Sequence, residues 1–292
     1  MKYFKKYRVR ILLLLNIIIP FKNYSISYYF SRFGNNLQQI GIGILYSIRN
    51  KGNFYSNESE FIKEFNVISN PIIKYFSIFK KHYRFFYFLE KQDFPKRKLD
   101  EQYVKKNIQK IFKEEISPNI KFLNEKNIDE DTLVIHIRSG DIFTLPVKNY
   151  FQNPINFYIQ IASKYKKVLV VTSEDMLNPV CEELKKINNI EFQSSSFEND
   201  FNTLYSAKNL ATSGVGTFPI AAALLSNKLE NFYYTDLYLP EHLNPEMVTH
   251  KEVKHHKYEV DKNYRKDYLQ YEDIEKVILN YKSKVNKKNS LI

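Results

Sequence analysis

Thr132-Leu133-Val134-Ile135-His136-Ile137-Arg138-Ser139-Gly140-Asp141 is an apolar run that turns polar within a few residues. From Thr132 to Ile137 the aliphatic side chains predict an interior strand, buried on both faces as in a parallel sheet. His136, Arg138 and Asp141 then arrive together where the strand ends. An arginine there offers a phosphate a planar fork of donors, a stronger partner than any neutral group, and Asp141 is placed to orient it. An Arg138–Asp141 ion pair closing a loop is the plainer reading of the same residues.

Downstream, elements alternate at regular spacing. The pattern predicts helices over 154–165, 179–187, 200–207 and 217–225, and strands over 167–171, 190–193, 209–212 and 231–234. Pro154 and Pro179 each follow an asparagine, the N-cap and first-turn pairing that starts helices. Such alternation implies an α/β fold with a parallel sheet covered on both faces. Upstream, a β-rich run from Tyr24, a glycine turn over Arg32–Asn36 and a helix over 37–48 read as the opening of a nucleotide-fold domain. A second helix is expected over 57–66, with Asn57 as its cap and Glu60 three residues on. An aromatic segment over 76–88 and a helix over 100–112 complete that half, whose strand order the sequence leaves open. Past Lys251 charge dominates, with a helix expected over 264–281 and with His250, His255 and His256 expected to face solvent. The resulting division is 1–22, 23–127, 128–250 and 251–292.

The whole chain, 292 residues with 43% hydrophobic content, is long enough for two domains or one large one. Its single cysteine, Cys181, excludes an intrachain disulfide framework and a multi-cysteine zinc site, and an inert thiol in a reducing cytosol is expected. The net charge of +12 suits nucleic acid, an anionic membrane surface or a phosphorylated substrate alike. Lys, Asn, Ile, Tyr and Phe are abundant throughout, so part of this basicity is background. Without a zinc finger, an Arg/Gly-rich tail or an Arg-dense helix, nucleic acid is not an expected partner. At the N-terminus, Lys2, Lys5, Lys6, Arg8 and Arg10 precede the apolar run Ile11–Ile19, which is too short to span a bilayer. It reads either as a peripheral anchor on the inner face of a membrane or as an element packed on the domain.

In open parallel sheets ligands gather beyond the carboxyl ends of the strands, which selects two further loops. In Thr212-Ser213-Gly214-Val215-Gly216-Thr217-Phe218 the glycines admit a close ligand, and Thr217 opens an apolar helix whose amides make a phosphate seat. Thr172-Ser173-Glu174-Asp175 follows the next strand, where carboxylates hold a ribose or a base edge.

Four blocks, in order over most of the chain, resemble glycosyltransferase family 11 and the protein O-fucosyltransferase superfamily. Arg32-Phe33-Gly34-Asn35-Asn36-Leu37-Gln38-Gln39 is similar to the family's G-L-G-N-Q-M-F-Q block, and Val134–Asp141 to its H-x-R-R-G-D block. Val171-Thr172-Ser173-Glu174-Asp175 resembles F-S-D-D, and the stretch from Asp200 through Ser213 to Phe218 resembles the last block. Ser139 stands where the family often has a second arginine, Asn36 where it has glutamine, and Pro219-Ile220 where many members carry aromatic residues.

The resemblance implies two Rossmann-like domains in a GT-B-type arrangement and transfer of L-fucose from GDP-fucose. It implies that Arg138 binds the donor β-phosphate and that Ser213, Gly216, Thr217 and Phe218 line the diphosphate and nucleoside pocket. Asp175 and Asp200 would meet the guanosine, and Gly34 and Asn35 the cleft near the acceptor. Direct inverting attack by an acceptor hydroxyl of a surface glycan is the implied reaction. His136 is a candidate general base, though a buried strand histidine beside such an arginine reads more readily as a hydrogen-bonded partner. No cofactor is expected, and no metal: the carboxylates Asp129-Glu130-Asp131 precede their strand, at the edge opposite the ligand-binding one. Two alternatives stand: the same fold with another nucleotide sugar, and a non-catalytic relative that binds membrane surfaces or polyanions.

Overall fold

A computed structural model describes residues 23–26, 32–71, 81–83, 99–144, 150–270, 273–280 and 286–287. The basic and apolar stretch 1–22, most of the aromatic segment 76–88 and most of the tail lie outside them. The chain divides into two compact units, Met1–Phe122 and Leu123–Ile292.

In the first unit, β1 (Asn23–Ile26), β2 (Asn53–Ser56), β3 (Phe65–Ile68) and β4 (Lys81–Tyr83) form a sheet in the order β3-β2-β1-β4. β1 runs parallel to β2 and β4, while β3 pairs antiparallel with β2. Helix α1 (Phe33–Arg49) buries Leu37, Ile40 and Ile44. Its Gly41 lets α2 (Glu101–Ile111) come close, because a Cβ there would lie 2.8 Å from Ile108 and 2.9 Å from the Phe112 ring. Asp100 caps α2 by accepting from the Tyr103 N–H at 2.7 Å.

Two sequence expectations fail in this unit. The glycine turn at Arg32–Asn36 is the first turn of α1, pinned by Phe33, whose ring packs against Phe61 and Phe122. No helix covers 57–66. There Ile62 bridges to Ile120, the Ser59 hydroxyl accepts from the Ile62 N–H at 3.2 Å, and Phe65 and Val67 are buried beside exposed Asn66. Period-two burial against β2 overrides the helix-capping signal of Asn57 and Glu60.

The second unit follows the predicted alternation closely. β5 (Thr132–His136), β6 (Lys167–Val171), β7 (Ile190–Gln193), β8 (Asn209–Ala211), β9 (Asn231–Thr235) and β10 (Lys254–Glu259) are all parallel, in the order β10-β9-β8-β5-β6-β7. The short β11 (Asn286–Lys287) adds to β10 antiparallel. Counted within this unit the order is 3-2-1-4-5-6, that of a doubly wound nucleotide-binding sheet.

Alternate residues explain the two-sided burial. Leu133, Ile135, Ile137, Val168, Val170, Ala211 and Tyr233 form one core with α4 (Ile155–Ala162), α5 (Pro179–Leu184) and the last helices α8 (Lys262–Gln270) and α9 (Ile274–Asn280). Val134, Leu210, Phe232 and Tyr234 are buried on the opposite face. There α6 (Phe197–Ser206) lies against β5, β6 and α7 (Phe218–Leu225). A single turn, α3 (Asp141–Thr144), follows β5.

The charged segment after Lys251 departs from expectation, because residues 254–259 are the sixth parallel strand. His255 and His256 are part-buried rather than solvent-facing. The His256 ring stacks on Tyr233 at 4.4 Å, and its Nε2 shares a 3.0 Å hydrogen bond with Asn231.

Candidate functional site

β5 and β8 are hydrogen-bonded neighbours, yet the chain leaves β5 for β6 on one side and β8 for β9 on the other. Connections on opposite faces part between them and open a crevice beyond the carboxyl ends, the switch point of such a sheet. Two of the three stretches singled out in the sequence, His136–Asp141 and Thr212–Phe218, flank it.

The side chains across this junction touch. His136, the last residue of β5, shares a 3.1 Å hydrogen bond through Nδ1 with the Ser213 hydroxyl, and its ring lies 5.5 Å from that of Phe218. Burial, and then the positive charge of Arg138, lower the His136 pKa to about 3. The imidazole is therefore neutral across the physiological range, and too weak a base to take a proton efficiently near pH 7. It acts as a partner for Ser213.

Asn178, read in the sequence as a helix cap, anchors the Arg138 loop as well. Its Oδ1 accepts from the Val180 N–H at 3.1 Å and its Nδ2 donates to the Arg138 carbonyl at 2.9 Å, while its own N–H donates to the buried Ser139 hydroxyl at 2.9 Å. Ser139 thus serves the start of α5, and Arg138 is the one cation of its block. Gly140 has φ +76, and a Cβ on it would stand 2.7 Å from the Asp175 carboxylate. The Asp175 carboxylate in turn accepts from the Ser173 hydroxyl at 3.0 Å and the Leu177 N–H at 3.2 Å. The loops after β5 and β6 are therefore packed together. The side chain of Asp141 lies outside the described ones.

Across the crevice Gly214 has φ +89, and a Cβ there would fall 2.6 Å from the Phe151 carbonyl oxygen. Residues 150–153 run alongside as a strap: Gln152 bridges to Gly214, and the Val215 N–H donates to the Phe151 carbonyl at 3.0 Å. Asn153, expected to cap α4, does not do so. Its Nδ2 donates to the Thr212 carbonyl at 2.7 Å and its Oδ1 accepts from Thr235 at 2.6 Å, tying the β8 and β9 loops, while Pro154 takes the cap position of α4. Thr217 precedes α7 without a side-chain cap bond, and Gly216 beside it has ordinary clearance from Ser213.

Asp200 sits apart from this group. Its carboxylate accepts from Gln193 at 2.7 Å and from the Ser195 N–H at 3.3 Å, joining the end of β7 to α6. Gly34 and Asn35 belong to the first unit, in the first turn of α1.

Sequence reasoning missed Tyr150, Asn153's lacing role and His242. The Arg138 guanidinium lies over the Tyr150 ring, 5.2 Å from its centroid, and the buried His242 meets that ring edge-on at 6.0 Å. The signal available was slight: Tyr150 is one of 23 tyrosines, and His242 lies in an irregular loop between Pro240 and Pro245. Among the described residues, no group of three or more His, Cys, Asp or Glu could hold a metal ion. Against family models, curated proteins and solved structures the chain finds no match.

Proposed function

We propose that this chain is an inverting glycosyltransferase that uses a nucleoside diphosphate sugar, GDP-fucose in the first instance, and transfers the sugar to a hydroxyl of a surface glycan. The observation that supports it is the meeting of its two phosphate-seat motifs at one switch point, where His136 and Ser213 are 3.1 Å apart. A lone arginine after a strand or a lone glycine-rich helix start would carry little. Both at the place where open α/β sheets bind ligands favour an anionic target such as a nucleotide diphosphate.

In this reading the acceptor oxygen forms its bond to the sugar carbon as the bond to the diphosphate breaks, and the departing oxygens gain negative charge. Arg138, with the amides around Gly216 and Thr217, meets that charge. Ser213, oriented by neutral His136, and Phe218 line the donor seat. Asp175 and Asp200, at the carboxyl ends of β6 and β7, are assigned to the guanosine, and Gly34 and Asn35 to the acceptor side. The acceptor proton leaves to a base that carries no assignment here. The charge is met without a metal, since the carboxylate group Asp129–Asp131 precedes β5 at the opposite edge. Work at the inner face of a membrane, held by the basic N-terminal stretch, belongs to the same proposal. Among the described residues no helix is long and apolar enough to cross a membrane.

A thermal-shift titration with GDP, GDP-fucose, GDP-mannose, UDP and UDP-sugars in EDTA tests it. A ligand at a hundred times its Kd adds about 2.7 kcal/mol of stability. Selective stabilisation by GDP and GDP-fucose is expected. A response to UDP compounds alone would replace the donor, and silence towards every nucleotide would overturn the assignment.

A further inference from the structure

Stabilising charge in a transition state requires a cation fixed before the charge develops. Arg138 is a long side chain on a loop, so the question is what holds it. Its own backbone is secured by Asn178, and its guanidinium meets an aromatic ring. The Tyr150 ring at 5.2 Å is within the range of an attractive cation–ring contact. A contact of this kind restrains the guanidinium without neutralising its charge.

The platform is itself immobilised. The Tyr150 carbonyl accepts from the Tyr268 hydroxyl at 3.1 Å and the Gln152 carbonyl from the Tyr264 hydroxyl at 2.6 Å, so α8 grips the strap from one side. Through Phe151 and Asn153 the same strap is bound to the Gly214 loop on the other. His242, only 1% exposed, closes on the edge of the Tyr150 ring from the loop after β9. Burial, with Arg138 adding to it, lowers the His242 pKa to about 4, so this neighbour adds no second charge beside the arginine at neutral pH.

We propose that Tyr150, held by α8 through Tyr268 and buttressed by His242, is a positioning residue for the Arg138 guanidinium at the carboxyl edge of the second sheet. For its effect on nucleotide binding the proposal rests on the donor reading above; for the position of Arg138 it does not. It also gives the C-terminal helix a part in the site, although α8 follows all of the blocks that resemble a glycosyltransferase.

Tyr150→Phe keeps the ring and Tyr150→Leu removes it. The side-chain Nε–Hε resonance of Arg138, identified by its disappearance in Arg138→Lys, reports ring proximity through the ring-current shift. It is expected upfield in the wild type and in Tyr150→Phe, and displaced toward the free-arginine position in Tyr150→Leu. GDP binding, measured by calorimetry, is expected to stay within about twofold in Tyr150→Phe and to weaken about three- to thirtyfold in Tyr150→Leu. Tyr268→Phe, which deletes only the anchoring hydroxyl, is expected to shift the same resonance part of the way. A wild type that binds no nucleotide sinks the donor reading and leaves the positioning to Tyr268→Phe, which keeps the ring, since Tyr150→Leu moves the resonance by losing the ring current alone. An Arg138 resonance unmoved by Tyr268→Phe overturns the proposal whatever the nucleotide does.

Discussion

The two edges of the second sheet are laced with the same residue type and do different things with it. At the amino edge, Asn209 donates to the Glu130 carbonyl at 2.7 Å and the Thr132 carbonyl at 3.1 Å, Asn231 donates to Asn209 at 2.8 Å, and His256 shares a bond with Asn231 at 3.0 Å. This ladder fastens the starts of β5, β8, β9 and β10 to one another, and outside it stand exposed carboxylates such as Glu130, paired with Lys208. At the carboxyl edge Asn153 and Asn178 also fasten loops, but around positive-φ glycines, the part-buried His136 and an arginine set over a ring. Glycine takes such backbone at no steric cost, and it is kept where a Cβ would collide with a neighbour, as at Gly140 and Gly214. The comparison teaches that polar side chains alone do not distinguish this edge; close-packed left-handed glycines together with a positioned charge do.

The widest separation between the edges is expected in turnover. Arg138→Ala should lower turnover about 10²–10³-fold, the loss seen when a preorganised donor at developing charge is removed, with the unfolding midpoint in urea little changed. A fall of less than fivefold, measured with whichever donor stabilises the wild type, would remove Arg138 from its role and with it the contrast between the edges.

A smaller effect, on stability rather than rate, is expected at Gly214. An alanine there would hold φ +89 and press its Cβ to 2.6 Å from the Phe151 carbonyl, whose oxygen already accepts from Val215. The expected cost is about 3 kcal/mol. Gly216→Ala, two residues on, meets only the Ser213 hydroxyl at 3.5 Å and should cost no more than about 0.5 kcal/mol. Urea denaturation of the pair measures the difference. Equal costs would show that backbone strain is not what distinguishes the Gly214 loop.

Much of the second unit is legible in the sequence because its signals are local. β6 and β7 begin and end where the sequence places them, and the Asn178-Pro179 pair caps α5 as read. The carboxyl-edge rule then picks the loops from strand direction alone. What escapes is set by contacts distant in the chain. Asn153 resembles a helix cap, but its amide is claimed by Thr212 and Thr235, which arrive some 59 and 82 residues later. The strand at Lys254–Glu259 hides in a charged run because it lies near the sheet margin, with five of its six residues exposed or only part-buried; its ladder with β9 and the stacking of His256 on Tyr233 leave no apolar alternation to read. In the first unit the missed β3 is specified by pairing with β2, against a capping signature that points to helix. The stacking of Arg138 on Tyr150 has no local signature, since the residues between them carry neither partner's signal.

The smallest effect is expected at the amino edge, and it tests the comparison from its other side. Asp129, Glu130 and Asp131 are all exposed, and the Thr132 N–H closes their turn on the Asp129 carbonyl at 2.9 Å through backbone atoms alone. The one pairing of note, Glu130 with Lys208, is a solvent-exposed ion pair of the kind that contributes little. It holds the Glu130 carboxyl below its ordinary pKa, and Lys208 keeps a second partner in Glu230 at 3.1 Å. Replacing the three carboxylates with Asn, Gln and Asn should therefore leave the urea midpoint, the nucleotide affinity and the turnover, measured in divalent metal as well as in EDTA, at wild-type values. A metal bound by this D-x-D-like group and required for transfer would give the opposite result, a loss of turnover with the fold intact. That outcome would move the charge-stabilising role from the arginine edge to the carboxylate edge, and the strand-direction rule that selected the Arg138 and Gly214 loops would have chosen the wrong end of the sheet.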